Sequence, residues 1–155
     1  MFASVKPERK KWTVNYGGIL LAKSDRRRPV INDNIYTMMD RLLSFGGEAV
    51  CFDVNQPFFH EVEQFGQLWH GYAAVMKNMT PGRCHWNSAH VADNNVGYRF
   101  CTGYALNADG IWYNHSWCVT KNRMGTRTVE TTGPRVMYYG YVLCNEDFKE
   151  FKELL

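Results

Sequence analysis

A single cysteine stands where this chain could make a thiol reactive. Cys84 follows the Pro81-Gly82-Arg83 turn and opens a segment, HWNSAHVA, that can be helical. A thiol at a helix N-terminus meets unpaired backbone N–H groups and the positive end of the helix dipole, and both favour the thiolate. Adjacent Arg83 adds positive charge. Such settings lower a cysteine pKa from about 8.5 to roughly 3.5–7.5 when a cation helps. The same N–H groups can hold the oxyanion of a tetrahedral intermediate. A nucleophile also needs a base, and the base needs an orienting acid. His115, in IWYNHSWCV, shares a strand face with Ile111, Tyr113, Trp117 and Val119; Trp112, Asn114, Ser116 and Cys118 take the other. Glu130 ends the next strand, RTVET, where a hairpin brings it beside His115 to keep the imidazole proton on the far nitrogen. Each of the three alone is more often structural: a buried cysteine, a core histidine, a solvated acid. In this order they make a thiol triad.

Nearby residues take smaller parts. Asn87 can bond the backbone around the thiol, and Trp86 and Trp117 can wall a substrate cleft or fill the core. His85 follows the nucleophile directly, and helical geometry points it away; His90 is also off the Cys84 face. His60 and His70 read as surface residues. Asn78 and Gln67 are the upstream amides at hand for an oxyanion donor, neither at a clear spacing. A metal site is the rival for these ligand types, but His115 and Cys118 fall on opposite strand faces and Cys84 and His85 diverge, so no metal is expected. No organic cofactor is expected either.

The elements that must position these residues follow from periodicity. Residues 1 to 11 are polar and read as a mobile end, residues 12 to 22 (WTVNYGGILLA) as a short strand interrupted at Gly17-Gly18, and residues 23 to 29 as a basic loop. Asn32 or Asp33 caps a helix with Ile35, Met38, Met39, Leu42 and Leu43 on one stripe, stopped by Gly46-Gly47. A second helix starts near Asn55-Gln56-Pro57, buries Phe58, Val62, Phe65, Trp69, Tyr72 and Met76, and ends at Thr80-Pro81-Gly82. Aromatic and β-branched runs at 98 to 105, 111 to 119, 126 to 131 and 135 to 144, separated by turn signals, predict a β-meander. EDFKEFKELL closes the chain as an amphipathic helix with Phe148, Phe151 and Leu155 on its stripe. Helices first and an antiparallel sheet after them make an α+β domain spanning residues 1 to 155.

Composition fits one such domain. A 45% hydrophobic and 21% charged content excludes wholesale disorder, and no apolar run approaches the roughly 18 to 20 residues of a membrane span. A net charge of +3 is too mild to imply nucleic acid. Five cysteines, an odd number with no C-x-x-C pair, argue for a reducing compartment, and the charged start lacks the apolar core of a signal peptide. A cytoplasmic protein is the expectation.

The pieces C-H-W-N (84 to 87), H-S-W (115 to 117), V-E-T-T (129 to 132) and Y-Y-G-Y (138 to 141) resemble the small papain-like cysteine hydrolases of bacteria and their phages, relatives of transglutaminase-like and NlpC/P60 proteins. The resemblance covers about residues 80 to 143. It implies a papain-like core with Cys84 as nucleophile, His115 as general base and acid, and Glu130 as orienting carboxylate. The expected activity is hydrolysis or acyl transfer at an amide or related bond of a protein, peptide or small amide. The family's acid position usually reads Asp-Pro-Thr, and here it is Glu-Thr-Thr, a longer side chain. A non-catalytic alternative is a bacterial or phage binding or inhibitor protein that contacts a protein or nucleic acid through PERKK (7 to 11) and Arg26-Arg27-Arg28, interleaved with Trp12, Tyr16 and Tyr36.

Overall fold

The computed structural model describes residues 19–22, 33–53 and 56–155. The polar start, most of the first predicted strand, the basic loop and both basic runs lie outside the described residues.

The element order is β1 (Ile19–Ala22), α1 (Asp33–Phe45), β2 (Ala49–Phe52), α2 (Phe59–Phe65), β3 (Gln67–His70), a 3-10 turn (Gly71–Ala73), β4 (Val75–Met76), α3 (Cys84–Asn94), β5 (Tyr98–Leu106), β6 (Ile111–Asn122), β7 (Gly125–Glu130), β8 (Met137–Val142) and α4 (Asn145–Leu154). Among the described residues, four helices and an eight-stranded mixed sheet confirm the α+β class. No helix among the described residues is long and apolar enough to cross a membrane.

Helix α1 forms as its spacing predicts. Met38, Met39, Leu42 and Leu43 are buried against Val50, Phe52, Tyr104 and Trp112. Each such side chain contributes about 1.5–3 kcal/mol when removed from water. Strand β2, AVCF, carries no local signal beyond a four-residue apolar run.

The long second helix does not exist. Helix α2 has seven residues and stops at Gly66, where an added Cβ would stand 2.4 Å from the Tyr139 ring. Beyond it the chain pairs with β8 as β3, Trp69 opposite Tyr138. The stripe read as helical is therefore split: Val62 is buried, while Phe65 is 60% and Tyr72 is 90% exposed. Trp69 sits at a spacing that suits a helix, but sheet hydrogen bonds to β8 outweigh local periodicity.

The predicted meander is also only partly formed. Strands β5, β6 and β7 follow one another as antiparallel neighbours, but β8 crosses back to pair with the far side of β5. Two pairings are parallel, β2 with β6 and β4 with β7. Across the sheet, β3 lies outside β8 and β4 lies outside β7. Laid flat, those edges would be about 24 Å apart at normal strand spacing. Yet His70 and Val75 are five residues apart, a reach of about 18 Å at full extension. The sheet must curl, and its inner face encloses Cys101, Ala105, Trp117, Val119 and Tyr138, with Trp69 packed against them. Helix α4 shuts the outer face: Phe151 and Leu154 pack on Phe58, Ala89 and Phe100.

Strand β6 holds two neighbours on one side. Its residues 111–113 pair with β2 and residues 118–122 pair with β7. Between them, residues 114–117 have no ladder partner on that side among the described residues. His115 lies in that interval, and α3 packs against the same strand.

Candidate active site

Helix α3 begins at Cys84. Its N-cap, Arg83, makes no side-chain cap, and Asn87 N–H donates to the Arg83 carbonyl at 2.9 Å to close the first turn. With no capping side chain, the leading amides keep their positive end free for an anion. The turn before the helix is held by Asn87, whose Nδ2 donates to the Thr80 carbonyl at 2.8 Å. Gly82 there adopts a positive φ of 73°, which glycine tolerates without strain.

The structure brings Cys84, His115 and Glu130 together. His115 is 3% exposed, and its Nε2 lies 2.8 Å from Glu130 Oε2. The Cys84 thiol and the same imidazole are close enough to shift each other's titration, and with Nε2 given to Glu130 the nitrogen left for sulfur is Nδ1. Glu130 is wholly buried and fully engaged. Its Oε1 accepts from Thr131 N–H (2.9 Å), Thr132 N–H (3.0 Å) and Thr132 Oγ1 (3.1 Å), and its Oε2 also accepts from the Tyr138 hydroxyl at 2.8 Å. The Arg135 guanidinium stands 3.8 Å from Oε2. The longer side chain of glutamate reaches because the chain turns at Thr131 and delivers two amides to it.

These contacts set the charges. Burial pushes the Glu130 carboxyl up, but His115, the Thr132 amide and Tyr138 outweigh it and hold the pKa at about 2. Burial lowers His115, yet Cys84 and Glu130 raise it to about 9. Burial also opposes ionisation of Cys84, and the rings of His85 and His115 still hold the thiol well below its ordinary value. Both shifts favour the thiolate–imidazolium form of the pair.

His85 does not point away, contrary to helical geometry taken alone. Its ring is near enough to the Cys84 thiol to lower its pKa, and its Nδ1 lies 2.6 Å from Ser116 Oγ. Ser116 Oγ is 3.1 Å from Thr102 Oγ1, which lies 3.5 Å from the His115 carbonyl. The Phe151 ring, 5.9 Å away, closes the other side. Partners on β6 and α4 thus pull the imidazole round. The one hint in the sequence is a histidine beside the cysteine with a serine beside His115.

Of the three residues read as substrate contacts, only Trp86 retains exposed surface, with the Arg83 guanidinium 5.4 Å above its ring. Trp117 is fully buried and does not face solvent: it stacks on His115 at 6.1 Å and 17° and meets Trp69 edge-on at 5.9 Å. Asn87 is buried and committed to the Thr80 turn. Gln67, on β3, is three strands from β6, and Asn78 is exposed. The buried amide that the sequence reading overlooks is Gln56, whose Nε2 and Oε1 have no hydrogen-bond partner among the described residues.

Tyr138 and the glycine of Y-Y-G-Y also acquire physical roles. Gly140 faces Gly103 across β5 and β8, and Gly103 faces His115 across β5 and β6. A Cβ on Gly140 would stand 2.5 Å from the Trp117 ring. Gly140 makes room for Trp117, which in turn backs the His115 ring, and Gly103 lets the β5 and β8 backbones approach closely.

All five cysteines are free thiols. Burial pushes Cys118 up to about 12, holds Cys101 well above the ordinary thiol value, and raises Cys51 with help from Asp53. Cys84 alone among the cysteines is held well below the ordinary thiol value. No protein-family model, curated protein or solved structure matches the chain.

Proposed function

We propose that the protein is a thiol-dependent hydrolase or acyl transferase acting on an amide or related acyl bond, with Cys84, His115 and Glu130 as its catalytic triad. The observation behind this reading is a thiol at an uncapped helix start, electrostatically coupled to a buried imidazole whose Nε2 is 2.8 Å from a buried carboxylate.

In the proposed reaction the Cys84 thiolate attacks the carbonyl carbon, forming a C–S bond and an oxyanion that the first amides of α3 stabilise. The intermediate collapses, the C–N bond breaks, and the departing amine takes the proton from His115. Water or an acceptor amine then attacks the thioester while His115 accepts its proton. The C–S bond breaks and the thiolate returns. Glu130 keeps the ring in the productive orientation and stabilises its charged form. A papain-like architecture is the fold reading that goes with this mechanism; the helix that starts at the thiol and the curled sheet that holds the imidazole support it.

The test is mass-resolved iodoacetamide labelling from pH 5 to 9, followed by a chromogenic acyl ester under single-turnover conditions. Cys84 should label at pH 6 at least about tenfold faster than Cys51, and the ester should leave a stable acyl mass on the Cys84 peptide. Equal labelling of the two thiols overturns the reading.

A further inference from the structure

A second feature lies on the inner face of the curled sheet, at the end where β6 runs into the β6–β7 hairpin. A cavity of about 630 Å³ opens there, lined by Gln67, Trp69, Arg99, Val119, Lys121 and Thr126 among others. That volume is within the roughly 300–1,000 Å³ typical of small-molecule sites. Its apolar surface comes from Trp69, Val96, Val119 and Val142, and its polar groups are an amide, hydroxyls and two cations.

The cations are placed unusually. Arg99 is directly opposite Val119 in the β5–β6 ladder, and Lys121 is two residues further along, so the two are diagonal neighbours on one face. Diagonal positions are about 7–8 Å apart, within mutual reach of long side chains, and like charges there repel. Both are exposed, no acidic residue lines the cavity, and neither forms an ion pair among the described residues. Arg99 Nη2 donates to the Leu143 carbonyl at 3.1 Å, which anchors the guanidinium while leaving other N–H donors available. An anion between them would relieve the repulsion.

We propose that this cavity is a binding site for a small organic anion with a flat apolar body. The body lies on Trp69 and Val119, and the anionic group sits between Arg99 and Lys121. The site does not depend on the thiol chemistry. It shares the sheet face of His115 but lies four residues along β6, a distance of about 13 Å.

The test uses the full chain, with naphthalene-1-acetate as probe and 2-(1-naphthyl)ethanol as its neutral counterpart, followed by tryptophan fluorescence and calorimetry. The carboxylate should bind at least about tenfold more tightly than the alcohol, and the preference should shrink severalfold between 50 and 300 mM salt, as about expected for screened surface charges. Arg99→Gln and Lys121→Gln should each weaken carboxylate binding about fivefold, an effect of the size usual for exposed charge pairs. Thr126→Trp, an exposed position at the mouth, should block it while thermal melting stays cooperative. Cys84→Ala should bind as the unaltered protein does. Equal binding of acid and alcohol, no binding of the acid at millimolar concentration, indifference to both charge substitutions, or loss of binding in Cys84→Ala would each overturn the proposal. Labelling of Cys84 by iodoacetamide reads the triad separately, so either proposal can fail without the other.

Discussion

Glu130 meets His115 diagonally across the β6–β7 hairpin: the ladder ends with Val129 opposite Cys118, and the carboxylate reaches back to Nε2 at 2.8 Å. The pair is sealed from water, so its energetics are those of a buried charge with every lone pair in use. Glu130→Gln removes the charge and turns an acceptor facing His115 into a donor or a misfit. Urea unfolding should show a loss of about 2–3 kcal/mol. Labelling of Cys84 at pH 6 should fall at least about tenfold, since the imidazolium loses its stabilising partner. An unchanged labelling rate would show that the acid has only a structural role.

Thiol acidity depends on the ring. His115→Ala should move the midpoint of the Cys84 labelling profile upward, toward the ordinary thiol range, while Cys144, exposed and at the start of α4, labels as before. The measurement is the rate of alkylation against pH, with each cysteine resolved by peptide mass. A midpoint that stays low would transfer the stabilisation to His85 and the helix start.

Stability should fall in acid through Glu130. Its folded pKa of about 2 is below the ordinary 4.5, so its contribution is complete above 4.5 and is lost as pH drops toward 2. His115 works in the opposite direction: raised from 6.5 to about 9, it stabilises fully below 6.5 and loses that contribution as pH rises through 9. Cys84, lowered, gains as pH rises toward 9 and so works against the His115 loss. Urea midpoints measured from pH 2 to 10 should therefore drop steeply on the acid side, with the two opposing shifts partly cancelling on the alkaline side. In Glu130→Gln the drop between 4.5 and 2 should be smaller.

The His85–Ser116–Thr102 chain fixes a second imidazole close to the thiol. Ser116→Ala leaves His85 Nδ1 without its 2.6 Å partner. Single-turnover acylation should slow about tenfold with the fold intact, the cost of a misaligned hydrogen bond at a reacting group. His85→Gln, which keeps a donor in place, should retain more activity than His85→Ala. Equal rates in the two would assign His85 to packing.

Gly103 is a steric requirement rather than a flexible link. An added Cβ would stand 2.3 Å from the Tyr139 carbonyl oxygen and 2.6 Å from Gly140 Cα. Gly103→Ala should cost about 1–3 kcal/mol of stability, the usual range for overpacking, measured by urea unfolding. The backbone must part there, and His115 sits directly opposite.

Much of the site is legible in residue types and short spacings. Pro81-Gly82 before Cys84 announces a turn and a helix start, and period two puts His115 and Trp117 on one face, where they stack. The hairpin after His115 is local, so Glu130 can be placed beside it from the turn alone. Helices α1 and α4 are equally local, set by stripes of Met, Leu and Phe. Failures begin where partners are distant. Trp69 and Tyr72 keep a helical spacing, yet β8, some 70 residues later, claims Trp69 for a strand and leaves Tyr72 in solvent. His85 fails for the same reason, since Ser116 and Phe151 decide where it points.

The sequence by itself determined the α+β class, the two end helices, the hairpin and the identity of the three residues that meet, because each follows from periodicity, capping and turn chemistry within a few residues. Only the tertiary structure decided that β8 leaves β7 for β5, that the sheet curls, that a stretch of β6 without a ladder partner on its β2/β7 side among the described residues lies against the start of α3, and that a second histidine comes near the sulfur. Those outcomes depend on long-range ladder pairing and close packing, in which the free energy of a distant strand or ring exceeds the local preference of the segment it captures.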